Sequence, residues 1–213
     1  MFQKNNFLKF GIKFLDFCII IEKKVVKMKT YNSYINFLCD LIIMDVPNVK
    51  YKFDENFYDS YFNEIEPFQL RDTAKSTAVP KNNTIYIDLD KFSNEIDIYI
   101  ALTHEVRHCG QYQAIMNDDM DDFTEPSILE QWKKELQSYK PSDIEGYENQ
   151  AVELDANAFT WLICRIVFGI ELQVDCDQEL FNSYKRIISE AYSVDEIKEC
   201  LRYSNLQISK NQA

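Results

Sequence analysis

The chain has 213 residues, a length that allows one ordinary domain with a short appendage. With 46% hydrophobic residues and only 4 glycines and 5 prolines, it can bury a core and lacks the composition of a disordered chain. A net charge of −12 repels a phosphate backbone, so the composition disfavours nucleic-acid binding.

The six cysteines are spread through the chain without a Cys-x-x-Cys pair. This spacing favours neither a disulfide framework nor a thiolate metal site. Reduced thiols in apolar surroundings behave as small hydrophobic side chains. We therefore expect a cytoplasmic protein.

Residues 1–29 are basic, with seven lysines against two acids. Their apolar stretch, residues 14–21, contains Asp16 and is shorter than the roughly 20 residues that span a bilayer. We expect residues 1–29 to be an N-terminal extension, with Met28 as an alternative start, and residues 30–213 to form a single domain. Membrane association is not expected; a secretory signal and a surface-lying helix are the alternatives for this segment.

Apolar residues at helical spacing predict six helices, and two β-branched segments predict strands. Ser93 is the expected cap of the second helix, and Gly169 the expected stop of the fourth. The predicted helices are 30–44, 94–116, 126–139, 144–167, 177–191 and 194–203, and the predicted strands are 49–53 and 84–88.

The second predicted helix contains the pattern His104-Glu105-Val106-Arg107-His108. Histidines four residues apart lie one turn apart on the same helix face, where both can bind one metal ion at about 2.0–2.1 Å. Glu105 is rotated away from that pair, which suits a general base that acts on a metal-bound water. The pattern predicts a catalytic zinc site.

A catalytic zinc site needs a third protein ligand, and the chain has only two histidines. The ligand should therefore be a carboxylate. Glu153 is the best candidate, while Glu145 and Glu148 in the same predicted helix are alternatives. Asn157, one turn after Glu153, could accept the spare N–H of a ligand histidine.

The segment Glu153-Leu154-Asp155-Ala156-Asn157-Ala158-Phe159 and the stretch 83–111 resemble zincin metallopeptidases of the gluzincin kind, in particular the ImmA/IrrE-like proteases. The resemblance implies an α+β zincin-like domain, mainly helical, with a small sheet whose edge strand lies above the HExxH helix. It implies that His104, His108 and Glu153 bind one zinc ion per chain and that Glu105 is the base. The implied edge strand, along which a peptide substrate lies, consists of Thr84, Ile85, Tyr86, Ile87 and Asp88.

The expected activity is zinc-dependent hydrolysis of peptide bonds. By analogy with the resembling family, a specific cytosolic regulatory protein is a secondary candidate for the substrate, and a toxin or a housekeeping peptidase fits the sequence equally well. Charge that develops on the tetrahedral oxygen needs a further donor, for which Tyr147, Tyr112 and Arg107 are candidates. The alternative function is a catalytically inactive interaction protein with the same fold. The sequence makes no prediction of the oligomeric state.

Three other features have structural interpretations. The acidic run 118–122 lacks EF-hand spacing, so a solvated loop is favoured over a calcium site. Cys109 points about 100° away from His108 on a helix and is expected to be a buried thiol. The aromatic residues between 51 and 68 are expected to pack in the core more than to line a substrate groove.

Overall fold

The computed structural model describes residues 27–51, 75–117, 126–140, 144–204 and 206. The greater part of the N-terminal extension, the acidic run 118–122 and all but Tyr51 of the aromatic segment lie outside these ranges. The predictions made for them stay predictions. Tyr51 itself is buried and its hydroxyl donates to Asn32.

The described residues are mainly helical and contain one three-stranded sheet, which confirms the α+β class. The strands are β1 (Asn48–Tyr51), β2 (Ser76–Val79) and β3 (Thr84–Ile87). The helices are α1 (residues 27–42), α2 (Glu95–Asn117), α3 (Pro126–Gln137), α4 (Ala151–Ile163), α5 (Gln178–Ala191) and α6 (Val194–Tyr203). None of the helices in the described ranges is both long and apolar enough to cross a bilayer.

The sheet has the order β1-β3-β2, so β3 is its middle strand. It runs parallel to β1, with Asn48 opposite Thr84, and antiparallel to β2, with Ser76 opposite Ile87. The prediction that residues 84–88 form an edge strand is therefore wrong for the described part of the sheet. Both sides of β3 are already hydrogen-bonded, and all four of its residues are buried. The strand packed on α2 at the edge is β2.

Two helix starts differ from the sequence predictions for local reasons. Asn94, and not Ser93, caps α2, since its Oδ1 accepts the backbone N–H of Asp97 at 2.8 Å. Gly146 has a left-handed backbone (φ 81°), which interrupts the helix predicted from residue 144. Helix α4 consequently begins at Ala151, after a single turn of 3-10 helix.

Other helix ends agree with the sequence more closely. Gly169 (φ 72°) ends the π-helical turn that follows α4, as expected of a glycine in the left-handed region. Asp177 caps α5, and Ser193 forms a capping box with Glu196 at the start of α6.

At the N-terminal side, residues 27–29 are already helical and Met28 packs against the core, so the boundary predicted at residue 30 falls inside α1.

Helices α2 and α4 pack against each other at the centre of the described structure. Helix α4 also contacts α3 and α5, while α2 carries β2 on its other side. Leu102 and Val106 of α2 and Phe159 of α4 are fully buried in the core that these elements share. This packing fixes the two helices that carry the predicted metal ligands.

Candidate metal centre

The two histidines of α2 converge as their spacing predicts. The Nε2 atoms of His104 and His108 lie 3.0 Å apart, and the rings are nearly perpendicular, with centroids 4.6 Å apart. Their side chains are 21% and 15% exposed, so the pair is partly accessible to solvent. Cys109, the next residue, is buried, as expected for a thiol on the core side of the helix.

Glu153 lies opposite the two histidines, in the first turn of α4. Its Oε2 is 3.3 Å from Nε2 of His104, and its Oε1 is 3.5 Å from Nε2 of His108. The structure thus brings together His104, His108 and Glu153. Glu145 and Glu148 precede α4 because Gly146 breaks the predicted helix, and neither belongs to this cluster.

The two imidazole nitrogens and the Glu153 carboxylate form a triangle whose spacings fit a small divalent ion. The two Nε2 atoms are 3.0 Å apart, Oε2 of Glu153 lies 3.3 Å from Nε2 of His104, and Oε1 lies 3.5 Å from Nε2 of His108. Ligands about 2.0–2.1 Å from an ion at the centre of a tetrahedron lie about 3.3–3.4 Å apart, close to these values. Two imidazole nitrogens with one carboxylate leave one tetrahedral position for water or substrate, which is the ligand set of many catalytic zinc sites.

The cluster is electrostatically coupled. Burial lowers the pKa of His108, but the adjacent Glu153 carboxylate outweighs this effect and raises that pKa to about 9. Burial conversely raises the pKa of Glu153, and the two histidines bring it well below its usual range. Glu153 therefore stays ionised although it is only 1% exposed.

Glu105 lies beside the triangle without belonging to it. Its side chain is 8% exposed, and its Oε1 accepts a hydrogen bond from Ser76 Oγ at 2.8 Å. Ser76 is the first residue of β2, the strand packed on α2. Residues 76–79 carry no strong strand pattern, so Ser76 was not predictable as a partner of Glu105.

Two tyrosines lie next to Glu153. The hydroxyl of Tyr139, just beyond the end of α3, donates to Glu153 Oε1 at 2.5 Å. The ring of Tyr147 stands nearly perpendicular to that of Tyr139, with the centroids 6.0 Å apart. Burial and the nearby Glu153 raise the pKa of both phenols, so both remain protonated donors. The sequence made Tyr147 a candidate donor to the tetrahedral oxygen, whereas Tyr139 was not predicted to be near the site.

Arg107 does not reach the histidine pair, contrary to its candidacy as an oxyanion donor. Its guanidinium makes two hydrogen bonds to the Asp155 carboxylate, at 2.7 and 3.0 Å, and a third to the hydroxyl of Tyr192 at 2.9 Å. Arg107 lies on the buried side of α2 because it is rotated away from both histidines. Tyr112 is half-buried and makes no hydrogen bond or ring contact to the site residues described here.

The expected hydrogen bond from a ligand histidine to the side-chain oxygen of Asn157 is absent from the described part of the chain. Nδ1 of His108 instead lies 2.9 Å from Oε1 of Gln111. Gln111 is on the same helix, three residues after His108, whereas Asn157 lies one turn beyond Glu153 on α4. The His108 ring therefore contacts Gln111 of its own helix and not Asn157.

Comparisons of the chain with protein-family models, with curated proteins and with solved structures found no match.

Proposed function

We propose that the chain is a zinc-dependent metallopeptidase whose ion is held by His104, His108 and Glu153. The observation that carries this proposal is the triangle of two imidazole nitrogens and one carboxylate, with Glu105 beside it. This arrangement offers three ligands with a base beside them, and a tetrahedral ion held by three ligands would keep its fourth position for water or substrate.

The chemistry that zinc supplies when bound is polarisation of a carbonyl and a water whose pKa falls to about 7. Glu105 would accept the proton of the attacking water and pass it to the leaving nitrogen. The hydrogen bond from Ser76 to Oε1 orients the Glu105 carboxylate and leaves Oε2 for that proton. Proton transfer of this kind contributes about 10²–10⁴-fold to a rate.

The two tyrosines support distinct roles around Glu153. Tyr139 donates directly to the carboxylate and would hold it in one orientation as a ligand. Burial raises the pKa of Tyr147, and the carboxylates of Glu153 and Glu105 raise it further, so its phenol stays protonated and able to donate. Tyr147 is therefore our choice for the donor to the developing oxyanion.

The substrate strand is assigned to β2 in place of residues 84–88. Strand β2 is hydrogen-bonded to β3 on one side only, among the described residues. A peptide added along its other side would extend the sheet by one strand, a common mode of peptide recognition. Ser76 at the start of β2 contacts Glu105, so this edge lies beside the base.

The experiment compares purified wild-type protein with Glu105→Gln and, as a matched control, Glu145→Gln, an exposed glutamate outside the cluster. Each zinc-loaded protein is incubated with a mixed peptide library, and new termini are identified by mass spectrometry. We expect equal zinc content in all three, cleavage by the wild type and Glu145→Gln, and a loss of at least about 100-fold in Glu105→Gln. Zinc binding without cleavage by the wild type would favour the alternative, an inactive interaction protein. Equal cleavage by all three would remove Glu105 from its role.

A further inference from the structure

A hydrogen-bonded series of buried polar side chains ends on one of the candidate ligands and has no part in the chemistry proposed above. It runs from Arg107 through Asp155 and Gln111 to Nδ1 of His108. Gln111 and Asp155 are 3% and 2% exposed. A buried polar group without a hydrogen bond destabilises the folded state, so the orientation of each side chain in this series is constrained by its partners.

The amide orientation of Gln111 is set by its two other partners. Nε2 of Gln111 lies 2.9 Å from the carbonyl oxygen of Val152 and 2.7 Å from Oδ2 of Asp155. Both of these oxygens only accept hydrogen bonds, so the NH₂ group must face them. The opposite orientation would set the amide oxygen against two acceptors.

This orientation leaves Oε1 of Gln111 facing Nδ1 of His108 at 2.9 Å. An amide oxygen only accepts, so Nδ1 must carry the hydrogen. The neutral ring then has its lone pair on Nε2, the atom that faces His104 and Glu153. The hydrogen bond thus prepares His108 to bind a metal through Nε2.

Asp155 is in turn held rigidly. It accepts two hydrogen bonds from Arg107, whose guanidinium carbon lies 5.2 Å from the ring centre of Phe159 and 5.7 Å from that of Trp132. Arg107 belongs to α2 and Asp155 to α4, the helices that carry the histidines and Glu153. The same ion pair that fixes these two helices therefore fixes Gln111.

We infer that Gln111 is a positioning residue that holds His108 in the tautomer with hydrogen on Nδ1, through an amide anchored by Asp155 and Val152. The inference rests on the metal-binding part of the proposed function and not on peptide hydrolysis. Groups that orient a ligand histidine in this way typically account for about 10–100-fold in metal affinity.

The test uses Gln111→Leu and, as a matched control, Gln113→Leu. Gln113 is on the same helix, and its amide is also hydrogen-bonded, but to Asp45 and Asn83 away from the histidines. Zinc affinity is measured by competition with a chelator, with circular dichroism as the check on folding. We expect Gln111→Leu to bind zinc about 10–100-fold more weakly than the wild type, and Gln113→Leu to bind equally well.

A second readout reports the tautomer itself and needs no variant. The chain has two histidines, so ¹⁵N-histidine labelling gives spectra of only two rings. In the zinc-loaded wild type, we expect His108 to show a protonated Nδ1, slow to exchange with solvent, and a metal-bound Nε2. In Gln111→Leu, that proton should exchange faster, an effect that a general loss of stability would not confine to one ring.

The outcomes separate the two proposals. If the wild type does not bind zinc, both fail. If it binds zinc through Nδ1 of His108, or if Gln111→Leu matches the wild type in affinity and proton exchange, this inference fails while the metallopeptidase proposal stands.

Discussion

Arg107 shows how a residue inside the HExxH pattern can belong to the packed core. It lies one position before His108, but its side chain points to the other side of α2, among the rings of Trp132, Phe159 and Tyr192. Burial lowers the pKa of Arg107, but the adjacent Asp155 carboxylate and the Tyr192 hydroxyl raise it by more, so the guanidinium stays charged although it is buried. Breaking a buried ion pair leaves one charge without compensation.

We expect Arg107→Met to lower the free energy of unfolding by roughly 3–5 kcal/mol, because Asp155 would lose its main partner. The measurement is urea unfolding of the metal-free protein. Arg186→Met, an exposed arginine on α5, is the control and should change stability by less than about 0.5 kcal/mol. Similar stability of the Arg107→Met variant and the wild type would show that the ion pair is dispensable.

At the scale of elements, the sequence predicts helices better than sheet order. Asp177 and Ser193 cap α5 and α6 through contacts within three residues, so local sequence determines where these helices begin. The position of β3 in the sheet depends on β1, more than 30 residues earlier, and no local pattern contains that pairing. Gly146 was visible in the sequence as a possible interruption of the helix predicted from residue 144, but the 3-10 turn that follows it was not predictable.

In the candidate site, too, local sequence predicts some residues, while others are brought in by distant parts of the chain. His104 and His108 are predictable because helical periodicity and metal chemistry together define them. The need for a carboxylate as third ligand made Glu153 the best candidate but left Glu145 and Glu148 as alternatives. Ser76, Tyr139 and Gln111 were missed. Ser76 and Tyr139 reach the site from other elements, and the role of Gln111 depends on Asp155, a residue 44 positions away.

At the scale of the whole molecule, the ligand cluster links stability to pH when no metal is bound. The folded state raises the pKa of His108 above its ordinary value of 6.5 to about 9, and it lowers the pKa of Glu153. The contribution of His108 to the free energy of unfolding is fully present below about pH 6.5 and is lost as the pH rises through 9. The contribution of Glu153 is present above its ordinary pKa of about 4.5 and is lost at lower pH. Both contributions stabilise the folded state between about pH 4.5 and 6.5.

We therefore expect the metal-free protein to lose up to about 3 kcal/mol of unfolding free energy between pH 6.5 and 9. The measurement is chemical denaturation in the presence of a chelator across this range. Glu153→Gln removes the carboxylate that raises the pKa of His108, so its stability should fall much less over the same range. A wild-type stability that is constant or rises between pH 6.5 and 9 would contradict the coupling.

Zinc binding by His104, His108 and Glu153 is the property that most directly tests the proposed metal site. Zinc affinity and stoichiometry are measured for the wild type, for Glu153→Gln and for Glu148→Gln, which changes a neighbouring glutamate outside the cluster. We expect one zinc ion per chain in the wild type and unchanged zinc binding in Glu148→Gln. In Glu153→Gln, zinc binding should weaken by at least about 100-fold, more than is typical when a group that only supports a ligand is removed. A wild type that binds no zinc, or a Glu153→Gln variant that binds it as tightly as the wild type, would contradict the proposed metal site.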